Sequence, residues 1–525
     1  MERFFNTAGP VDCKRHYCLD PLQRMNLQEV LELIDQWKYF VVHAPRQTGK
    51  TSSLKALQGF LNTQGHYKCL YVNMEAAQAA REKVPLAMQS ILYEMAQREK
   101  FHLGETFFQQ NFREILASAG AFNALNGALS AWTLQSAQPT VLLVDEVDSL
   151  VGDTLISVLR QLRSGYDRRP GDFPQSVILC GVRDVRDYRI YSDAEKQVIT
   201  GGSAFNIKSE SLRLGDFTRE DIRELYAQHT QQTGQRFEEG VFKLVWEYTE
   251  GQPWLVNALA YQACFRDFEG KDRNNPVTPE MMERAKNELI LRRDTHLDQL
   301  ADKLNEKRVQ RVIEPLLKGE LSEGNVPADD IEYCETLGLI KTTGNIHIAN
   351  AIYREIIPRT LTYSKQKTIV QEPAWYIQPD GLLNMDKLLT AFQQFFREHS
   401  ESWLERFQYR EAGPQLLLQA FLQRIINGGG HIDREYGLGR MRTDLYIRWP
   451  QNGVQRIVIE CKLKHGYALE TLIQKGLEQT AEYQDKTGAQ QAHLVIFDQD
   501  NVSWEEKVFK QTREYHGKNI TVWGM

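Results

Sequence analysis

The 525-residue sequence has no uninterrupted apolar run of the ~18 residues that a membrane span requires, so no membrane partner is expected. It also lacks an excess of charge of one sign. The 63 Lys and Arg residues stand against 69 Asp and Glu, a net charge of -6, so nucleic-acid binding would need a local basic surface. Cysteine is scarce and irregularly spaced. Of the seven residues, Cys69, Cys180 and Cys461 fall inside apolar runs, which argues for buried thiols in a reducing compartment and against a disulfide framework. Cys13 and Cys18, even with His16 nearby, lack the fourth ligand of a closed zinc site. Glu2, Arg3, Asp12 and Lys14 interrupt the apolar stretch a signal peptide needs, and the expected location is cytoplasmic. Tandem repeats and low-complexity tracts are missing too. The 42% hydrophobic and 25% charged residues suit folded protein, and the length calls for three or four domains at about 150 residues each.

What is present is an alternation of periods. Residues 27–36 have helical periodicity, 39–43 read as a strand, 54–61 as a helix, 68–73 as a strand and 76–130 mostly as helices. A buried strand at 141–144, a helix at 155–163 and a strand at 176–180 follow. This order implies an α/β fold with a mostly parallel sheet covered on both faces. Beyond residue 205 strands fade and helices dominate. Thr218 caps the helix at 222–230, ahead of Asp221. Short helices between 298 and 358, with strand-like 346–348 after Gly344-Asn345, suit a small winged-helix unit with a hairpin wing. A second alternation begins near 400: a helix at 414–426, strands at 431–436, 443–449 and 456–463, a helix at 469–486 and a strand at 492–497.

Two groups of residues carry chemistry. Ala44-Pro45-Arg46-Gln47-Thr48-Gly49-Lys50-Thr51 lies between a strand and a helix, the setting of a phosphate-binding loop, with only the opening glycine absent. In that setting backbone amides and the helix N-terminus would surround a polyphosphate, Lys50 would reach the β- and γ-phosphates, and the Thr51 hydroxyl would hold magnesium. The apolar strand 141–144 then delivers Asp145 to complete the magnesium shell and Glu146 to activate water. The loop and acid pair resemble the Walker A and Walker B motifs of P-loop NTPases of the AAA and STAND-related group, over roughly residues 22–359. That resemblance implies ATP and Mg2+ as cofactors, a sensor at Arg183 or Asp184, and a lid carrying Gly251-Gln252-Pro253. Candidates for an arginine donated to the phosphoryl group are Arg160, Arg163, Arg168, Arg169 and Arg186.

In the second group, Asp444 lies near the start of one strand and Glu460 and Lys462, two apart, share one face of the next. Two carboxylates suit one or two magnesium ions on a scissile phosphate, and a lysine offsets charge in the transition state. Asp444, Glu460, Cys461 and Lys462 resemble the motif of the PD-(D/E)XK nuclease superfamily, with Thr443 in place of its proline. Gln479 and Tyr483 resemble the Q-x-x-x-Y element of its RecB-like members. The resemblance implies Mg2+, with Mn2+ as an alternative, and DNA as partner. Glu411 and Glu435 are further acids, and Arg434, Arg440, Arg442, Lys464, His465 and Lys475 make a local basic rim.

The expected organisation is an N-terminal extension (1–21), a P-loop ATPase core (22–210), a helical lid (211–297), a winged helix (298–360), a connector (361–399) and a PD-(D/E)XK nuclease-like α/β domain (400–525). The expected function is an ATP-hydrolysing switch or motor, forming a nucleotide-dependent homo-oligomer, coupled to a Mg-dependent nuclease in prokaryotic genome defence. The alternatives are a STAND-like signalling or DNA-binding protein with a non-cleaving C-terminal domain, and a scaffold that uses ATP for assembly.

Overall fold

Nearly continuous apolar runs cannot leave either face in water, and four of them here form the buried strands of a parallel sheet bordered by a partly exposed fifth. Its strands are Phe40–His43 (β1), Lys68–Asn73 (β2), Thr140–Asp145 (β3), Ser176–Gly181 (β4) and Glu210–Arg213 (β5), in the order β2-β3-β4-β1-β5 with every pair parallel. The computed structural model describes residues 2–182, 190–192, 197–199, 210–292, 303–318, 326–357, 376–404, 413–426, 431–438, 441–449, 454–466, 468–500 and 502–525. They form two units, Met1–Arg292 with Cys334–Lys341, and Arg293–Tyr333 with Thr342–Met525. Among the described residues no helix is long and apolar enough to cross a membrane.

Strand alternation decides which helix packs where in the first unit. Phe40, Val42, Val141 and Leu143 meet Leu54, Leu57 and Leu61 of Lys50–Gln64 (α1) on one face. Val41, Val72, Leu142 and Val144 meet Val84–Leu103 (α2), Ala124–Gln135 (α3) and Gly152–Ser164 (α4) on the other. The lid follows as Arg219–Thr233 (α5), Glu239–Thr249 (α6) and Pro253–Tyr261 (α7). Thr218 and Asp221 form a reciprocal capping box at the start of α5, with bonds of 3.1 and 2.8 Å.

The extension expected at 1–21 is part of the lid. Gln228 in α5 bonds both the N–H and the C=O of Cys18, Trp254 in α7 donates to Thr7 O at 2.9 Å, and the Tyr17 hydroxyl meets His229 Nδ1 at 3.1 Å. Cys13 and Cys18, whose Cα atoms lie 5.4 Å apart, are joined in a disulfide, a correction to the expectation of thiols throughout. The other five cysteines are buried thiols. The expected winged helix is also divided: Cys334–Lys341 returns to the first unit, where Lys341 Nζ donates to Glu250 O at 2.8 Å and Arg213 faces Glu335 at 3.4 Å.

The second unit carries a six-stranded sheet. Its strands are His431–Leu438 (β6), Met441–Trp449 (β7), Gln455–Lys464 (β8), Gln491–Asp498 (β9), Phe509–Tyr515 (β10) and Lys518–Gly524 (β11), in the order β6-β7-β8-β9-β11-β10. The β8-β9 and β9-β11 pairs are parallel and the others antiparallel. Met385–Leu404 (α8) and Gly413–Ile426 (α9) cover one face, and Leu469–Thr487 (α10) covers the other. The boundary expected near 400 falls inside α8. Leu388, Leu389, Phe392 and Phe396 pack into the sheet core, and Gln393 donates to Phe509 O and Gly524 O at 2.9 and 2.8 Å. Residues 385–396 of the expected connector thus pack on the sheet, and 361–375 lie outside the described residues.

Candidate functional site

In the first unit the C-terminal ends of β1 and β3 bring the loop and the acid pair together, the end of an open α/β sheet where ligands bind. Gly49 sits at φ 97°, a conformation that strains any residue with a Cβ, and a Cβ there would lie 2.7 Å from Arg24 Nη1. Lys50 is buried and its ammonium donates to the carbonyls of Ala44 and Pro45 at 2.9 and 3.0 Å, so the charge is held inside the loop. Thr48 braces the same turn by donating to Pro45 O at 2.8 Å. Arg46 is exposed and Gln47 takes a left-handed φ of 59°.

Asp145 is fully buried and closes the arrangement. Its Oδ2 accepts from the Thr51 hydroxyl at 2.8 Å and from the Tyr71 hydroxyl at 2.8 Å, and its Oδ1 accepts from Glu146 N at 3.0 Å. Glu146 follows in the left-handed region, φ 52°, a posture uncommon for a non-glycine residue. Burial first, and the Asp148 charge second, raise its carboxyl above the ordinary value, which makes it the better base. A lysine, a hydroxyl and a buried carboxylate converging on a glycine turn form a donor set that suits a magnesium-bound polyphosphate.

Two residues that bear on the site were not legible as such. Arg24 Nη1 donates to Thr48 O at 2.6 Å and Nη2 to Gly215 O at 2.7 Å, which ties the loop to the link between β5 and α5. Its guanidinium lies over the Phe217 ring, and burial pushes its pKa down to about 10. Tyr71 is the other. Beside the loop a cavity of about 140 Å3 is lined by Thr7, Leu19, Arg24, Gly49, Phe217 and Trp254 among others. The Gly251-Gln252-Pro253 turn borders this region. Gly251 has φ 83°, and a Cβ there would lie 2.0 Å from Phe217 O, so only glycine fits. Gln252 caps α7 by accepting from Leu255 N at 2.6 Å.

The remaining candidates of this unit separate cleanly. Arg168 bonds Asp172, Asn126 and Ser130, and Arg169 stacks on Tyr39 and Tyr166, so both are structural. Arg160 and Arg163 are exposed on α4. Arg183, Asp184 and Arg186 lie outside the described residues.

In the second unit Glu460 is buried and accepts from Lys462 Nζ at 2.7 Å. Both stand on the α10 side of β8, since Val458 packs on that side and they follow it at steps of two. Leu445, the residue after Asp444, pairs with Ile459, the residue before Glu460. The side chains of Asp444, Glu435, Arg434 and Arg442 lie outside the described residues, as do Glu411 and Arg440 entirely. Gln479 is half-buried on α10, Tyr483 is buried in the core beneath it, and Lys475 is exposed. Lys464 departs from the expected basic rim: Asp498 and Asp500 hold its ammonium at 3.0 and 2.5 Å, which cancels its charge. Among the described residues no group of three or more His, Cys, Asp or Glu is placed to hold a metal.

No family model matches the chain, and no curated protein matches it in sequence. Solved structures similar to it include a Walker-type ATPase of Pyrococcus abyssi, 14% identical, covering 67% of this chain and 99% of its own, with a TM-score of 0.44. Others are Cdc6p of Pyrobaculum aerophilum, 13% identical, covering 67% and 96%, with a TM-score of 0.37, and the RuvB Holliday junction branch migration motor of Thermotoga maritima, 12% identical, covering 64% and 94%, with a TM-score of 0.34.

Proposed function

We propose that the first unit binds and hydrolyses ATP, and that the second cleaves phosphodiester bonds in DNA under control of that cycle. The observation that carries the first half is the junction of Thr51 and Tyr71 on the buried Asp145 beside the Lys50 loop. Lys50 binds the phosphates, Thr51 and Asp145 hold magnesium, and the cavity beside Arg24 and Trp254 takes the base. Magnesium supplies charge neutralisation of the phosphates when bound. Glu146 then accepts the proton of the attacking water, a role its raised affinity for protons favours.

The reading of the second unit rests on Glu460 and Lys462 on one face of β8, with Asp444 on the neighbouring strand β7 and Gln479 on α10. In this reading Asp444 and Glu460 hold Mg2+ or Mn2+, and Lys462 is displaced from Glu460 to meet the phosphate or the attacking water. DNA is the partner, and nucleotide-dependent self-assembly is the form the switch takes. A STAND-like DNA-binding protein with an inert C-terminal unit is the competing reading.

Cleavage of plasmid and single-stranded DNA with magnesium, with and without ATP, tests both halves in wild type, Lys50→Ala and Glu460→Ala. The expected outcomes are loss of cleavage with ATP hydrolysis intact in Glu460→Ala, and loss both of ATP hydrolysis and of the response of cleavage to ATP in Lys50→Ala. Hydrolysis without cleavage of any substrate by wild type would favour the competing reading.

A further inference from the structure

Asp145 has an unusual set of donors for a carboxylate with no exposed surface. The Tyr71 hydroxyl and the Thr51 hydroxyl both donate to Oδ2, each at 2.8 Å, and the Glu146 amide occupies Oδ1. Tyr71 comes from β2, the edge strand beside β3, where the register sets Asn73 opposite Asp145 and Tyr71 opposite Leu143. Its side chain is itself 1% exposed, so its hydroxyl has no water to turn to. The ring is held from outside as well: Lys55 Nζ and the Arg98 guanidinium each lie 5.6 Å from its centroid. Arg98 is kept there by Glu94 at 2.6 Å.

We propose that Tyr71 is a positioning residue for the magnesium site, fixing the Asp145 carboxylate in the orientation that a metal-nucleotide complex meets. The inference rests on the ATP reading of this unit. A buried carboxylate with a single side-chain donor can rotate about its Cβ–Cγ bond, whereas one pinned by hydroxyls from two elements cannot. Thr51 lies in the first turn of α1, and in the ATP reading its oxygen is itself required for the metal. Tyr71 belongs to the sheet, and gives Asp145 an anchor from a group with no part in metal binding. Groups that hold a metal's ligands in this way are worth about 10- to 100-fold in metal affinity.

The test is binding of a fluorescent ATP analogue to the full chain, titrated with magnesium, in wild type and Tyr71→Phe. The expected result is a nucleotide affinity in EDTA within about twofold of wild type, with the half-saturating magnesium concentration raised about tenfold or more. An unchanged magnesium midpoint overturns the assignment, as does an equal loss with and without magnesium, which marks a packing role. A wild type that binds no nucleotide overturns the ATP reading and this one with it. If Tyr71→Phe fails to fold, site-specific 3-fluorotyrosine at position 71 keeps ring and hydroxyl while strengthening the donor. A shifted magnesium midpoint then supports the role, and an unshifted one overturns it.

Discussion

The loop at 44–51 and strand β8 each set a lysine near a carboxylate, but the two lysines are held differently. Lys50 donates to two carbonyls, so its positive charge is available to an incoming anion. Lys462 has its charge met by Glu460 at 2.7 Å, so that pair must separate before either group acts. The first site is assembled from distant elements: Arg24, the loop, Tyr71 and Asp145 arrive from different stretches of chain. The second is drawn from neighbours on a single strand plus the facing one. The first arrangement leaves a lysine whose charge no carboxylate meets in those bonds, while the second is a closed ion pair.

The sharpest way to break this contrast is Glu146→Gln. Hydrolysis should fall by about 10²- to 10⁴-fold while nucleotide binding survives, read by phosphate release beside equilibrium binding. In wild type, hydrolysis should decline as pH drops through a value above the ordinary carboxylate range, because burial favours the protonated form. An acid limb at the ordinary value would assign the base elsewhere. Next in size is Gln393→Ala, which leaves two carbonyls of the second unit without their donor and should cost about 1–3 kcal/mol in urea denaturation of the full chain. If the cost is absent, these two bonds contribute nothing to holding α8 on the sheet. The smallest effect concerns Glu99, fully buried with one oxygen accepting from Phe108 N at 2.9 Å. Burial raises its pKa, so its stabilising share is full below 4.5 and is lost as pH climbs through the raised value. Glu99→Gln should therefore gain on wild type as pH rises across that window, measured by thermal melting.

How much was legible depends on the range of the interaction. The phosphate loop, the acid pair and the main strands could be read because their signals are contiguous: a glycine turn between a strand and a helix, then an apolar run ending in acids. Glu210–Arg213 was missed because a four-residue strand with two charges has no apolar signature. The strands Phe509–Tyr515 and Lys518–Gly524 were missed in a region rich in polar residues. Arg24 carries no local sign of its partners, which are 24 and 191 residues away. Tyr71 did carry one, since a phenol in the apolar middle of a strand needs a partner for its hydroxyl. The return of Cys334–Lys341 to the first unit rests on the Lys341 and Arg213 contacts, which no sequence period encodes.

The seating of the N-terminal segment on the lid has a consequence for synthesis. Cys18 waits for Gln228, 210 residues later, and Thr7 waits for Trp254, 247 residues later. At about 5–20 residues per second, that segment leaves the ribosome roughly 10–50 s before its partners exist. Through that interval Phe5 and Tyr17, buried in the folded protein, have no lid to cover them, so the nascent chain carries exposed aromatic side chains until the lid has been made.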